Sequence, residues 1–159
     1  MKGFTLIEMI VATVILLLFT GGGILTMNNF NDRQKAIGVR SEIKSMIELA
    51  KNYASTMQYA KDAADVGVLP SYYKVGIAGN MGAVSVKYTN GDVGFFEEKN
   101  WAGEGVAIGD VTVCFKPFET VQYDCGVGTT AAKTIVVTSG GAAYSLIVDE
   151  YGKITEVNP

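Results

Sequence analysis

Phe4-Thr5-Leu6-Ile7-Glu8, preceded by Met1-Lys2-Gly3, opens an apolar run that continues to Met27, and Glu8 is the only charged residue in it. As a helix, Phe4–Met27 reaches about 36 Å, against about 30 Å of bilayer hydrocarbon. A carboxylate that deep in a membrane helix costs about 2.5–3.5 kcal/mol on insertion scales, so its presence calls for a partner. A secretory signal peptide fits poorly. It needs a longer basic start, an apolar core of about 7–15 residues and a small-x-small cleavage site. Here the run is longer, and Thr20-Gly21-Gly22-Gly23 is a poor match to such a site. A plain membrane anchor accounts for the length but gives Glu8 no role.

Gly3-Phe4-Thr5-Leu6-Ile7-Glu8 resembles the N-terminal signature of type IV pilins and the related pseudopilins. The resemblance is close over the apolar run and architectural beyond it. It implies that a prepilin peptidase cuts between Gly3 and Phe4 and methylates the new amine on Phe4. Glu8 then becomes the fifth residue of the mature chain and, with Thr5, an expected assembly residue. In the family the glutamate of one subunit neutralises the N-terminal amine of a neighbour. That agrees with the physics of a buried charge, since breaking such a pair costs about 3–5 kcal/mol.

Beyond the apolar run a second helical signal follows. Ala36, Val39, Ile43, Met46, Ala50, Tyr53, Met57, Ala60 and Ala64 recur alternately three and four residues apart, an apolar seam on one helix face. Ile47 and Ala54 widen the seam, while Arg40, Lys44, Lys51 and Lys61 fall off it. Gly67 and Pro70 supply stop signals. One helix from Phe4 to Ala64 would reach about 90 Å. Its seam is expected to pack on a sheet of the same subunit, because strand-like sequence follows. Gly21-Gly22-Gly23 interrupts it at a cost of about 3 kcal/mol relative to alanine. The family has a helix-weakening region here, commonly a glycine and a later proline. This chain has no proline before Pro70, so the triplet is expected to serve as the point of flexibility.

From residue 82 the pattern is that of strands. Ala83–Thr89 alternates around Val84, Val86 and Tyr88, and Asn90-Gly91 is a hairpin signal before Val93–Phe96. Val111–Phe115 is a further strand. Thr134–Thr138, Ala143–Val148 and Lys153–Val157 form an expected antiparallel meander, with turns at Gly140-Gly141 and Asp149–Gly152. The expected class is α+β, a long N-terminal helix packed on a C-terminal antiparallel β-sheet. Residues 1–3 are the expected leader peptide and 4–27 the transmembrane or filament-core helix. Residues 28–66 are the amphipathic helix of a globular head, and 67–159 a loop region and the sheet.

Composition bounds the function. The net charge of −3 leaves no strongly cationic surface, and there is no run of basic residues, so no nucleic-acid partner is expected. Lys2 and the initial amine precede the apolar run, which favours a cytoplasmic N-terminus. Asp32, Arg33 and Lys35 on the opposing flank are mixed, so this orientation leans on the resemblance. The remainder then lies outside the cytoplasmic membrane, where disulfides persist. Cys114 and Cys125 are the only cysteines and are expected to form one bridge, contributing about 3 kcal/mol.

No enzyme is expected. With zero histidines there is no Ser-His-Asp or Cys-His arrangement and no HExxH site. Gly126-Val127-Gly128-Thr129-Thr130-Ala131 matches a loose dinucleotide pattern but precedes a strand instead of opening a helix. Asp62, Asp65, Asn90 and Asp92 carry oxygen ligands suited to calcium, yet their spacing does not converge them, and solvated turns are the expected reading. Tyr72-Tyr73 and Phe95-Phe96-Trp101 are expected core or subunit contacts. No cofactor or metal is expected. The function implied is that of a filament subunit, and a pseudopilin of a type II secretion or DNA-uptake system shares the signature. A membrane-anchored extracytoplasmic binding domain is the competing class. Expected partners are further copies or related pilins, the prepilin peptidase, an inner-membrane assembly platform and, before assembly, the cytoplasmic membrane. After assembly the subunit is expected in an extracellular pilus or a periplasmic pseudopilus.

Overall fold

The computed structural model describes residues 4–60, 67–119, 122, 123, 125 and 131–159, with positions 20–26, 28, 122 and 123 given by backbone alone. Helix α1 (Leu6–Thr56) runs unbroken, passing through Gly21-Gly22-Gly23 as helix. It ends at Thr56, not at 66. Met57 turns into the left-handed region at φ 54°, and the Gln58 N–H donates to the Tyr53 carbonyl at 3.1 Å. The chain leaves the helix because groups of the sheet capture it. The Tyr73 hydroxyl donates to the Gln58 carbonyl at 2.7 Å, and the Ala60 N–H donates to the Tyr88 hydroxyl at 3.0 Å. Lys61, Asp62, Ala64 and Asp65 lie outside the described residues.

Among the described residues nine strands follow: β1 (Pro70–Ala78), β2 (Met81–Tyr88), β3 (Val93–Asn100), β4 (Ala107–Ile108), β5 (Val111–Phe115), β6 (Gln122–Tyr123), β7 (Lys133–Ser139), β8 (Ala142–Val148) and β9 (Ile154–Val157). All pair antiparallel, in two sheets of order β3-β2-β1-β5-β6 and β4-β7-β8-β9. The molecule is therefore α+β, as the pattern predicts, and β7-β8-β9 is the expected meander. The Asn90-Gly91 hairpin is also present. Its Tyr88 N–H donates to the Asp92 carbonyl at 2.9 Å, and Gly91 takes φ 96°. The loop expected after residue 67 is corrected. Residues 70–78 form β1, which lies between β2 and β5.

The core lies between the C-terminal half of α1 and the inner faces of both sheets. Ala36, Val39, Ile43, Met46, Ile47, Ala50 and Ala54 are buried. They meet Tyr73, Val75 and Ile77 of β1, Val84 and Val86 of β2, and Ile135, Val137, Leu146 and Val148 of β7 and β8. Each large apolar side chain contributes about 1.5–3 kcal/mol on burial. A bulge in β3 adds an aromatic to this layer. Val84 pairs Glu97 and Ser85 pairs Phe95, leaving Phe96 as the extra residue. Its ring lies 4.3 Å from that of Tyr53, while Phe95 stays 48% exposed on the outer face. Trp101 is buried over Gly82, where an added Cβ would come within 2.6 Å of the indole. Its Nε1 donates to Glu42 Oε2 at 2.8 Å.

Arg40 corrects the helix pattern. Its side chain is buried, although the seam spacing puts it outside. Its guanidinium donates to Asn158 Oδ1 at 2.8 Å, pairs with Glu156 at 3.0 Å and lies 5.4 Å over the Tyr144 ring. Lys44 pairs with the same Glu156 at 2.7 Å. Together they hold β9 to the helix.

Candidate assembly site on the N-terminal helix

The apolar half of α1 begins at a built cap. Thr5 takes extended backbone at φ −79° and ψ 151°, and its hydroxyl accepts from the Glu8 N–H at 3.4 Å. The Thr5 carbonyl accepts from the N–H groups of Glu8 and Met9 at 3.1 and 3.3 Å. Thr5-Leu6-Ile7-Glu8 has the T-x-x-E spacing of a capping box, a signal that reveals Thr5's structural role from sequence alone. Glu8 is the acidic residue of the first turn, where the positive end of the helix dipole favours it. Among the described residues no ion pair or side-chain hydrogen bond engages its carboxylate.

Above this cap the helix is apolar on every side. Every described side chain from Phe4 to Phe19 is exposed, Phe4 at 78% and Phe19 at 80%. Met27 and Phe30 are exposed as well, and the first buried position is Ala36. A helix hydrophobic all round requires lipid or other helices around it. Thr13 adapts to such surroundings by donating its hydroxyl to the Ile10 carbonyl at 2.8 Å, within the helix. Among the described residues no helix is long and apolar enough to cross a membrane. The sequence run does reach that length, but it includes positions 20–26, whose side chains fall outside that description.

Residues 1–24 match the family described as the prokaryotic N-terminal methylation motif. The chain carries the type IV prepilin signature. No curated protein and no solved structure matches the chain. The prepilin signature implies a membrane-anchored precursor. Within it the structure brings Phe4, Thr5 and Glu8 to one end of α1, while Gly3 lies outside the described residues. Gly21-Gly22-Gly23 sits about 20 Å further along the same helix.

The cysteines belong to the head and not to this site. Cys114 of β5 and Cys125 are bridged with Cα atoms 5.4 Å apart. Beside them β5 pairs β6 through Cys114 with Tyr123 and Phe115 with Gln122. Of the calcium candidates, Asn90 and Asp92 bond each other: Asn90 Nδ2 donates to Asp92 Oδ2 at 2.6 Å, closing the hairpin turn. Among the described residues no group of three or more metal-binding side chains gathers. Gly126–Thr130 of the dinucleotide-like pattern lies outside the described residues. Tyr73 is fully buried and its hydroxyl is pushed well above the usual phenol value, mainly by burial. Tyr72 faces outward, with the Lys87 ammonium 6.0 Å over its ring.

Proposed function

We propose that this protein is a structural subunit of a type IV pilus-like filament. It is cut by prepilin peptidase between Gly3 and Phe4, methylated on the Phe4 amine and polymerised through α1. The observation that carries this reading is the apolar run from Phe4 to Met27, with Glu8 as its single charge and its described side chains from Phe4 to Phe19 all exposed. In the cytoplasmic membrane lipid covers that helix, with the N-terminus on the cytoplasmic side and the head outside. During assembly, helices of further copies or related pilins replace the lipid. The Glu8 carboxylate of one subunit then neutralises the Phe4 amine of its neighbour, which sets the docking register, and Thr5 holds the first turn in place. An assembly platform in the inner membrane delivers the subunits. Gly21-Gly22-Gly23 is the place where the helix extends under tension, since three adjacent glycines weaken it most.

Replacing Glu8 with Val tests this directly. The variant is expected to be made, inserted and processed like the wild type, yet to yield few or no filaments. A lost buried pair costs about 3–5 kcal/mol at each interface. Wild-type filament yield from Glu8→Val would remove the docking role.

A further inference from the structure

Val84 and Val86 of β2 point into the core, so Ser85 between them points to the outer face of the larger sheet. Larger neighbours cover it there, and it is 6% exposed. Its hydroxyl bonds no group among the described residues. The other buried polar side chains among them have partners, since Arg40 bonds Asn158 and Ser139 bonds Gly105. A buried hydroxyl left without a hydrogen bond costs folding free energy, so its presence calls for a reason.

Strand register gathers polar and aromatic groups around it. Ser85 stands between Lys74 of β1 and Phe95 of β3. On one side of this row Tyr72 pairs Lys87, whose ammonium lies 6.0 Å over the tyrosine ring. On the other side Thr112, Gly76, Ala83 and Glu98 cross β5, β1, β2 and β3 in line. The small side chains of that line leave a trough of about 510 Å³, a size typical of small-molecule sites. Gly76 shapes it: a Cβ there would lie 3.1 Å from Lys74 Cε and 3.8 Å from its Nζ, so the lysine stem lies flat along the strand. The charged groups lining the trough are Lys74, Lys87 and Glu98. Among the described residues no ion pair engages either ammonium. Beyond the lining, Lys116 follows β5, Asp92 is engaged by the Asn90 amide, and Asp110 Oδ1 accepts from the Gly79 N–H at 2.6 Å.

Two ammoniums beside an unbonded hydroxyl donor suit an oxyanion held by charge-assisted hydrogen bonds. Phe95, 48% exposed, offers a ring face to an apolar surface, and partly positive C–H groups favour such a face. Glu98 and Thr112, at the two ends of the trough, are acceptors for ligand hydroxyls. An extended peptide finds no partner for its backbone here, because β1 and β2 are each paired on both sides. A nucleic acid would bring a phosphate charge at every nucleotide past Glu98. An oligosaccharide with a carboxylated sugar matches each group: its carboxylate meets the ammoniums and Ser85, its C–H face meets Phe95, and its hydroxyls meet Glu98 and Thr112. We propose that this trough binds an oligosaccharide carrying a carboxylated sugar, whose carboxylate is held by Lys74, Lys87 and the Ser85 hydroxyl. The site lies wholly on the head and does not depend on the filament reading.

Titration of the full chain in mild detergent, followed by saturation-transfer NMR, tests it. Sialyllactose and digalacturonate are the charged probes, lactose is the uncharged one, and tetraglutamate and a short oligothymidylate are the competing anions. At least one charged sugar is expected to bind, with lactose about tenfold weaker or worse. Lys74→Gln and Ser85→Ala are each expected to weaken that binding about tenfold. The urea midpoint should stay unchanged in Lys74→Gln and stay or rise in Ser85→Ala, since the unbonded hydroxyl is then gone. Failure of both charged sugars to bind, or binding untouched by both substitutions, overturns the site. Lactose binding as tightly as the charged sugars removes the carboxylate from it. Tetraglutamate or oligothymidylate binding more tightly than either sugar overturns the saccharide assignment. A lowered midpoint in Ser85→Ala would show the hydroxyl already serving the fold, and would overturn its part in the site.

Discussion

Arg40 shows how a single side chain can defeat a periodicity argument. Its spacing places it off the apolar seam, yet it is buried because its partners, Glu156 and Asn158, arrive from the far end of the chain. No local pattern encodes a contact 118 positions away. Arg40→Ala is expected to destabilise the head by about 2 kcal/mol, through lost charged hydrogen bonds and packing on Tyr144, measured by urea unfolding in mild detergent. Glu156 adds a pH signature. Its carboxyl is held below the ordinary value, chiefly by the hydrogen bond from Lys44 and then by the Lys44 charge. A lowered folded pKa means stability that is present above the unfolded value and lost as pH falls through the folded one. The urea midpoint should therefore fall on acidification, and Glu156→Gln should remove that part of the fall. Lys44 is raised by the same partner, so its share is lost as pH rises through its raised value. A midpoint in the variant with the same acid dependence as the wild type would dismiss the pair as a contributor.

At the level of elements, the long helix and six of the strands follow from spacing, while β1 does not. Tyr73, Val75 and Ile77 alternate inward as a strand should, but Pro70 marks a helix stop and Gly76 weakens the strand signal. What places β1 centrally is pairing with β2 and β5, which is non-local. Strands β4 and β6 are two residues each, too short for any period to appear. The close approach of Trp101 to Gly82 is equally invisible in one dimension. Gly82→Val is expected to destabilise by about 1–3 kcal/mol, because the indole must leave its seat. Loss of the Trp101 emission shift on folding, read beside the urea midpoint, checks it. The bridge was legible, since two cysteines allow one pairing. Reducing Cys114–Cys125, or replacing both with Ala, should cost about 3 kcal/mol and lower the melting temperature. An unchanged melting temperature would show that the bridge adds nothing to the folded head.

Taken as a whole, the molecule joins a packed head to a helix whose described side chains from Phe4 to Phe19 are all exposed. The first half of that helix carries the prepilin signature, which was legible because the motif is contiguous and needs no tertiary contact. The cap made by Thr5 was equally present in the spacing. The weakness of Gly21-Gly22-Gly23 was not expressed, since a single chain places no tension on the helix. The proposed extension of that triplet is a property of the assembled state, where a backbone still helical through 21–23 would count against it. Mass analysis of filaments sheared from cells tests the central claim most directly. The account predicts an abundant chain that begins at N-methylated Phe4, with Met1-Lys2-Gly3 removed. A chain that keeps Met1, or loses a longer N-terminal peptide, would contradict it; a processed chain confined to the membrane fraction would point instead to a pseudopilin.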